Sequence, residues 1–359
     1  MLQCTMVAKQ GDLFMQDDLL NLAVGVSHTT SQKVGMIEHI MGRANIIALN
    51  ARIEAARAGD GAFKVVAQEM SEVANQIRDI ARELRISVTK QIQQVEQAGT
   101  TLLRDFRGTR LVDLAANAID MLDRNLYERS CDVRWWATDS AVVTALATHE
   151  PGDLTHAEER LAVILRSYTV YLDLWLIDPA GKVVACGRGD QHRFARGSSV
   201  AQESWFRAAL GTRSGDEYAV GDISQMAALD QRTVATYATA VRQGGLTDGA
   251  VLGVLAIFFD WTPQAAAILN GVRLTDDERR QIRILIVDAK HRIIAASDGG
   301  MDLFSRFPLR TEQGRAGFYE EPDAMVGYAL TPGYETYKGL GWHAVLQMRQ
   351  TAVALRKTG

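Results

Sequence analysis

Between Leu19 and Leu102 apolar or small residues recur at alternating intervals of three and four, with one interruption at Gly59-Asp60-Gly61-Ala62. A spacing of this kind sustained over several heptads is the seam of a coiled coil, and a glycine-bearing break in its middle folds the chain back on itself. Before the break the rule selects Leu19, Ala23, Val26, Thr30, Lys33, Ile37, Ile40, Ala44, Ile47, Ala51, Glu54 and Ala58. After it come Val66, Met70, Val73, Ile77, Ile80, Leu84, Ser87, Gln91, Val95, Ala98 and Leu102. Antiparallel pairing then stacks Ile37 on Leu84, Ile40 on Ile80, Ala44 on Ile77, Ile47 on Val73 and Ala51 on Met70, and farther out Val26 on Val95, Ala23 on Ala98 and Leu19 on Leu102. Thr30 with Gln91 and Lys33 with Ser87 are polar layers, which exchange stability for register or mobility. A two-helix hairpin buries one stripe per helix, so the expected fold is an all-α antiparallel hairpin over residues 10–106. It closes its core as half of a four-helix bundle in a homodimer.

The remaining length, out of 359 residues, is enough for one or two further domains. A net charge of −4 gives no general attraction for nucleic acid or anionic membrane. Cys4, Cys131 and Cys186 are an odd, scattered set without a CxxC, which suits a reducing compartment and inert thiols. The longest apolar run, Gly249 to Phe259, is too short to span a bilayer and reads as a buried strand. With no basic region leading an apolar core at the start, the sequence predicts a cytoplasmic protein without membrane insertion.

The stretch "NIIALNARIEAARAG", the glycine turn and the returning "FKVVAQEMSEVANQI" resemble the signalling tip of bacterial chemoreceptors, the methyl-accepting chemotaxis proteins, over about Ile37 to Leu84. The resemblance implies a tip where dimers gather into trimers and bind a CheA-type histidine kinase and a CheW-type coupling protein. On the outgoing arm it assigns the contacts to Ile46, Ile47, Asn50, Ile53, Glu54 and Arg57, and on the returning arm to Val65, Val66 and Glu69. The alanines between them allow close helix approach, and Asn50, Glu54 and Arg57 form one polar stripe in which Glu54 and Arg57 can pair across a dimer contact. The turn is shorter than the commoner family form, Gly42 and Arg43 replace an aromatic, and no methylation site is evident.

No proline lies between Phe63 and Glu150, so the returning arm is expected to run into a long helix over 107–150, with Gly108 as a hinge. Beyond it "LWLIDPAGKVVAC" (Leu174 to Cys186) and "ILIVDAKHRIIAA" (Ile284 to Ala296) align residue for residue, each reading as a β-hairpin turning at Asp178 or Asp288. Two related α+β modules follow, over 151–275 and 276–350, joined by a linker helix starting near Pro263.

This segment resembles the double Cache domain, two PAS-like antiparallel-sheet modules on a long N-terminal helix that serve many chemoreceptors as ligand sensor. The resemblance places a small-molecule site in the first module, lined here by Trp205, Phe206, Tyr218, Asp222, Tyr237 and Asp260. A carboxylate ending an apolar strand, with aromatic walls, suits an ammonium group. Where amino-acid-binding relatives carry an arginine two residues before the tryptophan, this chain has Glu203, so an amine or uncharged polar metabolite is expected instead.

Seven histidines never adopt metal-ligand spacing, "ACGRGD" lacks the helix of a phosphate loop, and no GxSxG, HExxH or kinase signature occurs, so no metal, cofactor or catalytic centre is expected. The reading is of a soluble chemoreceptor-like transducer and not an enzyme. The alternative is a scaffold that docks into receptor arrays without transmitting.

Overall fold

The computed structural model describes residues 2–298 and 302–350, with side chains from residue 25 onward. The chain divides into two compact units, Met1–Arg107 and Gly108–Gly359.

The first unit is the hairpin of α1 (Leu2–Ala58) and the N-terminal part of α2 (Gly61–Trp136). Only Gly59 and Asp60 separate the helices. Gly59 takes φ +72°, a conformation that a side chain disfavours, and closes α1. The Asp60 N–H returns to the Ala55 carbonyl at 3.1 Å, while its Oδ1 accepts the N–H groups of Ala62 at 3.1 Å and Phe63 at 3.2 Å. One residue thus stops α1 and caps α2.

Cross-helix bonds fix the register. Asn45 meets Asn75 at 3.0 Å and Ser71 at 3.3 Å, and Arg85 pairs with Glu38 at 2.7 Å. These centre on the same turn as the expected layers Ile47 on Val73 and Ile40 on Ile80.

The face turned inward is different from the expected one. Val34, Ala48 and Ala55 of α1 and Ala67, Ala74 and Ala81 of α2 are buried, at 3% exposure or less, whereas Ile40, Ile47, Val66, Val73 and Ile80 are each more than half exposed. Ile37, Ala44, Ala51 and Ile77 stay half-buried beside the alanines, and Met70 and Leu84 are exposed. Each helix is therefore rotated by one residue, about 100°, from the expected contact. The reason is steric: a seam of alanines lets two helices approach more closely than facing isoleucines would. The displaced large residues form an apolar ribbon along the hairpin. Val26, Val95 and Leu102 are also exposed, while the side chains of Leu19 and Ala23 lie outside the described residues.

The second unit contains the rest of α2, then α3 (Ser140–Thr148), α4 (Pro151–Ser167), β1 (Tyr171–Ile177), β2 (Val183–Cys186), α5 (Ser204–Leu210), β3 (Ala219–Val220), β4 (Ser224–Met226), β5 (Arg232–Arg242) and β6 (Val251–Asp260). It continues with α6 (Trp261–Gly271), α7 (Asp276–Gln281), β7 (Ile282–Val287), β8 (Ile293–Ala296), β9 (Ala316–Glu321), β10 (Ala324–Leu330) and β11 (His343–Arg349). The strands make two antiparallel sheets of matching topology, ordered β2-β1-β6-β5-β3 with β4 on β5, and β8-β7-β11-β10-β9.

The sequence repeat is exact in register. Trp175, Leu176 and Ile177 pair with Cys186, Ala185 and Val183, and Leu285, Ile286 and Val287 pair with Ala296, Ala295 and Ile293, with the same irregularity before the third pair. Asp178 Oδ1 accepts the Lys182 N–H at 2.9 Å, as Asp288 Oδ1 accepts that of Arg292 at 2.8 Å. The left-handed slot of the turn is Gly181 in one copy and His291, at φ 59°, in the other.

Two expected helices are broken differently. The helix over 107–150 ends at Trp136, and Asp139 starts α3 by accepting the Ala141 N–H. The linker is two helices, because Thr275 and Glu278 form a reciprocal cap that begins α7 afresh. Gly108 is not a break. α2 runs through it, and a Cβ there would stand 2.4 Å from the Phe318 ring, so the glycine serves close packing.

In this unit Leu111, Leu114, Ala118, Leu122, Leu126 and Val133 of α2 share one core with Leu174, Leu176, Ile284, Ile286 and Leu346 of the two sheets. Separate clusters cover the far faces, one around Trp175, Trp205 and Phe258, the other around Leu285, Tyr328 and Val345. This explains why β1 is buried along its whole length.

Candidate functional site

The hairpin tip and the C-terminal unit each carry candidate residues. At the tip, Ile46, Ile47, Asn50, Ile53, Glu54, Arg57, Val65, Val66 and Glu69 are all exposed. Ile46 and Ile53, seven residues apart, lie on one line of α1 at 60% and 46% exposure. Arg57 reaches Glu54 of the same helix at 3.6 Å with both side chains largely in water, a pair of small intrinsic worth that a partner can replace. The tip therefore combines an alanine-packed interior with an isoleucine- and valine-rich exterior.

The six residues expected at the ligand site fall into four places. Trp205 and Phe206, on α5, are buried: Trp205 packs against Phe206 and edge-on to Phe258, with ring centroids 5.9 Å apart in the second pair. Tyr218 stacks on the buried Tyr237 at 6.2 Å, and the Tyr237 hydroxyl meets that of Tyr337 at 3.5 Å. Burial raises the Tyr218 and Tyr237 phenols above their ordinary range, so both are neutral donors or acceptors. Asp222 is exposed and bound by Lys290 at 2.9 Å and Arg292 at 3.3 Å, and its hydrogen bond to Lys290 holds its carboxyl below the usual carboxylate range. It ties the first module to the second.

Asp260 is 9% exposed at the end of β6. Arg232 grips its Oδ2 at 2.5 Å, but the buried Oδ1 has no hydrogen-bond partner. Burial raises this carboxyl, against the attraction of Arg232. Glu203, which occupies the position of the missing arginine, is exposed at the start of α5.

The structure adds buried polar groups that spacing did not identify. Asp173, fully buried inside β1, accepts the N–H groups of Leu174 at 2.8 Å and Arg188 at 3.0 Å, the Trp175 indole at 3.1 Å and contacts His192 Nδ1 at 3.0 Å. On α2, Asp123 accepts from the Thr331 hydroxyl and the Gly333 N–H, and Asp132 accepts the Tyr171 hydroxyl beside Arg129. Burial raises both carboxyls above the usual range. A signal existed in each case, since these aspartates interrupt otherwise apolar faces.

Among the described residues no group of three or more histidine, cysteine, aspartate or glutamate side chains is placed to hold a metal ion, and no helix is long and apolar enough to cross a membrane. The Cys186 thiol is pushed up to about 12 by burial.

Comparison with known proteins separates the two halves of the chain. Residues 4–128 match the methyl-accepting chemotaxis protein signalling domain. Methyl-accepting chemotaxis protein IV of Escherichia coli is 34% identical over 101 residues, covering 26% of this chain and 19% of that protein. The methyl-accepting chemotaxis aspartate transducer of Klebsiella aerogenes is 32% identical over 136 residues, covering 33% of this chain and 25% of that protein. The chain thus spans a quarter or less of the length of these relatives.

Over 70% of the chain the fold is similar to the sensor domain of the V. cholerae histidine kinase DctB, with a TM-score of 0.51, 13% identity and 98% of that chain covered. The sensory domain of the Campylobacter jejuni chemoreceptor Tlp3 gives a TM-score of 0.51 at 15% identity, covering 70% of this chain and 96% of that one. The N-terminal arm is thus similar to the chemoreceptor signalling domain, and the two PAS-like sheets have a double Cache-type fold shared with these two domains.

Proposed function

We propose that this chain is a chemotaxis-type transducer in which a small molecule, bound by the sensor unit, changes how the hairpin tip regulates a CheA-type histidine kinase through a CheW-type coupling protein. The observation that carries the reading is the tip surface: all nine residues assigned to partner contact are exposed, five of them isoleucine or valine, around a seam closed by alanine. The ribbon of Ile40, Ile47, Val66, Val73 and Ile80 supports a homodimeric four-helix bundle, since a second copy would remove it from water.

Coupling between distant sites requires an element that both can bias, and α2 is the helix that contributes to both units. For the ligand, the unpartnered buried Oδ1 of Asp260 supports an amine, whose N–H would complete that acceptor's hydrogen bonding.

The test is kinase autophosphorylation in a reconstituted mixture of the full chain, kinase and coupling protein, with and without a ligand found by thermal shift among small amines. A ligand-dependent change that Ile53→Asp abolishes is expected. Co-assembly with the kinase but no response to any bound ligand would instead indicate an array scaffold. Unchanged amine binding in Asp260→Asn would remove Asp260 from the site.

A further inference from the structure

A cleft of about 630 Å³ lies where the two sensor modules meet, inside the C-terminal unit and apart from Asp260. Its first wall is the α5 and β3 region, with Ser204, Trp205, Asp216 and Tyr218, and its second is the loop before β11, with Lys338 and Leu340. The volume falls in the range of small-molecule sites, roughly 300–1,000 Å³.

Both walls are fixed before any ligand arrives. On the first, the Asp216 carbonyl takes a bond from Arg134 at 3.4 Å, the Glu217 carbonyl takes the Thr239 hydroxyl at 2.7 Å, and the Thr212 carbonyl takes the buried Arg242 guanidinium. On the second, Tyr334 and Tyr337 exchange backbone bonds at 2.8 Å each, and Asp123 holds Thr331 and Gly333. Tyr218 is half-exposed, and its ring is set by stacking on Tyr237. A cleft so pinned loses little to ordering when it is filled.

Its charges are divided between the modules. Glu217 is turned toward Arg213, accepting its backbone N–H at 2.7 Å and lying 3.5 Å from its guanidinium. That leaves the Asp216 carboxylate on one wall and the Lys338 ammonium on the other, neither with an ionic partner among the described residues.

We infer that this cleft is a second ligand site, taking a small zwitterion whose ammonium meets Asp216, whose carboxylate meets Lys338 and whose apolar middle lies on Tyr218. Lys338 of the second module thereby provides the cation that Glu203, standing where an arginine would grip a carboxylate, does not. A ligand so held bridges both modules, and its binding is coupled to their mutual arrangement.

The test is calorimetric titration of the full chain with γ-aminobutyrate and ε-aminocaproate, against butylamine and butyrate as singly charged controls. At least one zwitterion binds, and butyrate, together with any butylamine binding that remains in Asp260→Asn, is at least about tenfold weaker, the equivalent of 1.4 kcal/mol. Asp216→Asn and Lys338→Gln, both at exposed side chains, each weaken that binding by a similar factor, whereas Asp260→Asn leaves it unchanged. The inference is overturned if neither zwitterion binds, if butylamine binds Asp260→Asn as well as the zwitterion does, or if affinity survives both cleft substitutions. Binding abolished in Asp260→Asn alone also overturns it, while leaving the first-module amine site standing.

Discussion

Gly327 of β10 and Leu111 of α2 meet so closely that a Cβ on the glycine would stand 2.4 Å from the leucine Cβ and 2.9 Å from its carbonyl carbon. Neither atom is the end of a flexible side chain, so helix or strand must move to admit a methyl group. Gly327→Ala therefore destabilises the C-terminal unit by about 1–3 kcal/mol, the usual cost of overpacking. Urea unfolding followed by tryptophan fluorescence measures it, and an unchanged midpoint would show that α2 does not rest on this sheet.

Removing the acceptor at the centre of the Asp173 cluster has a larger effect. Asp173→Ala strands two backbone N–H groups and the Trp175 indole N–H in a buried site. With each orphaned donor costing about 1–3 kcal/mol, the variant is destabilised by several kcal/mol. Asp173→Asn keeps one acceptor oxygen and is expected to lie between. Equal stability of the three proteins would mean the cluster is hydrated.

His343 links stability to pH. Burial depresses its pKa from 6.5 to about 4, with His291 and Arg315 acting in the same direction, so the folded unit holds the ring neutral. The unfolded chain binds the proton more readily, and stability present above pH 6.5 is lost as pH falls toward 4. The loss approaches roughly 3 kcal/mol for this group alone. In His343→Leu the pH dependence across that window becomes shallower by this amount, read from unfolding at a series of pH values.

A charge on the apolar ribbon separates the bundle. Val73→Asp places a carboxylate among residues more than half exposed in a single copy, where it does not disturb the alanine seam. Sedimentation equilibrium should show a dimer for the parent chain and monomer for the variant, with helix content little changed. A parent that is already monomeric would exclude the four-helix bundle.

How far the fold was legible depended on which interactions were local. The hairpin register followed from Gly59 and Asp60, whose bonds join near neighbours in sequence. The face did not, because heptad spacing does not weigh how near two helices can come, and Ala48, Ala55, Ala67, Ala74 and Ala81 favour close approach. The twin β-hairpins were legible because Asp178 and Asp288 organise their turns within five residues. The partners of the candidate ligand residues were not, since Arg232 reaches Asp260 only across the β5–β6 register, and Lys290 reaches Asp222 from the other module. Asp173 was the most accessible omission: a carboxylate inside the apolar run "YLDLWLI" has to be met by several donors wherever that strand is buried.

The alanine-lined seam makes dilution a structural variable. A pair of helices touching through methyl groups gains little from its own contact, and most of the apolar side chain it could bury waits for another molecule. The hairpin's melting temperature should therefore climb with total polypeptide, whereas the two-sheet unit, with its own enclosed cores, melts at a fixed temperature however thin the solution. Below some threshold the same chain would keep an ordered C-terminal unit and a loosened hairpin, so abundance itself would decide whether the rod is formed.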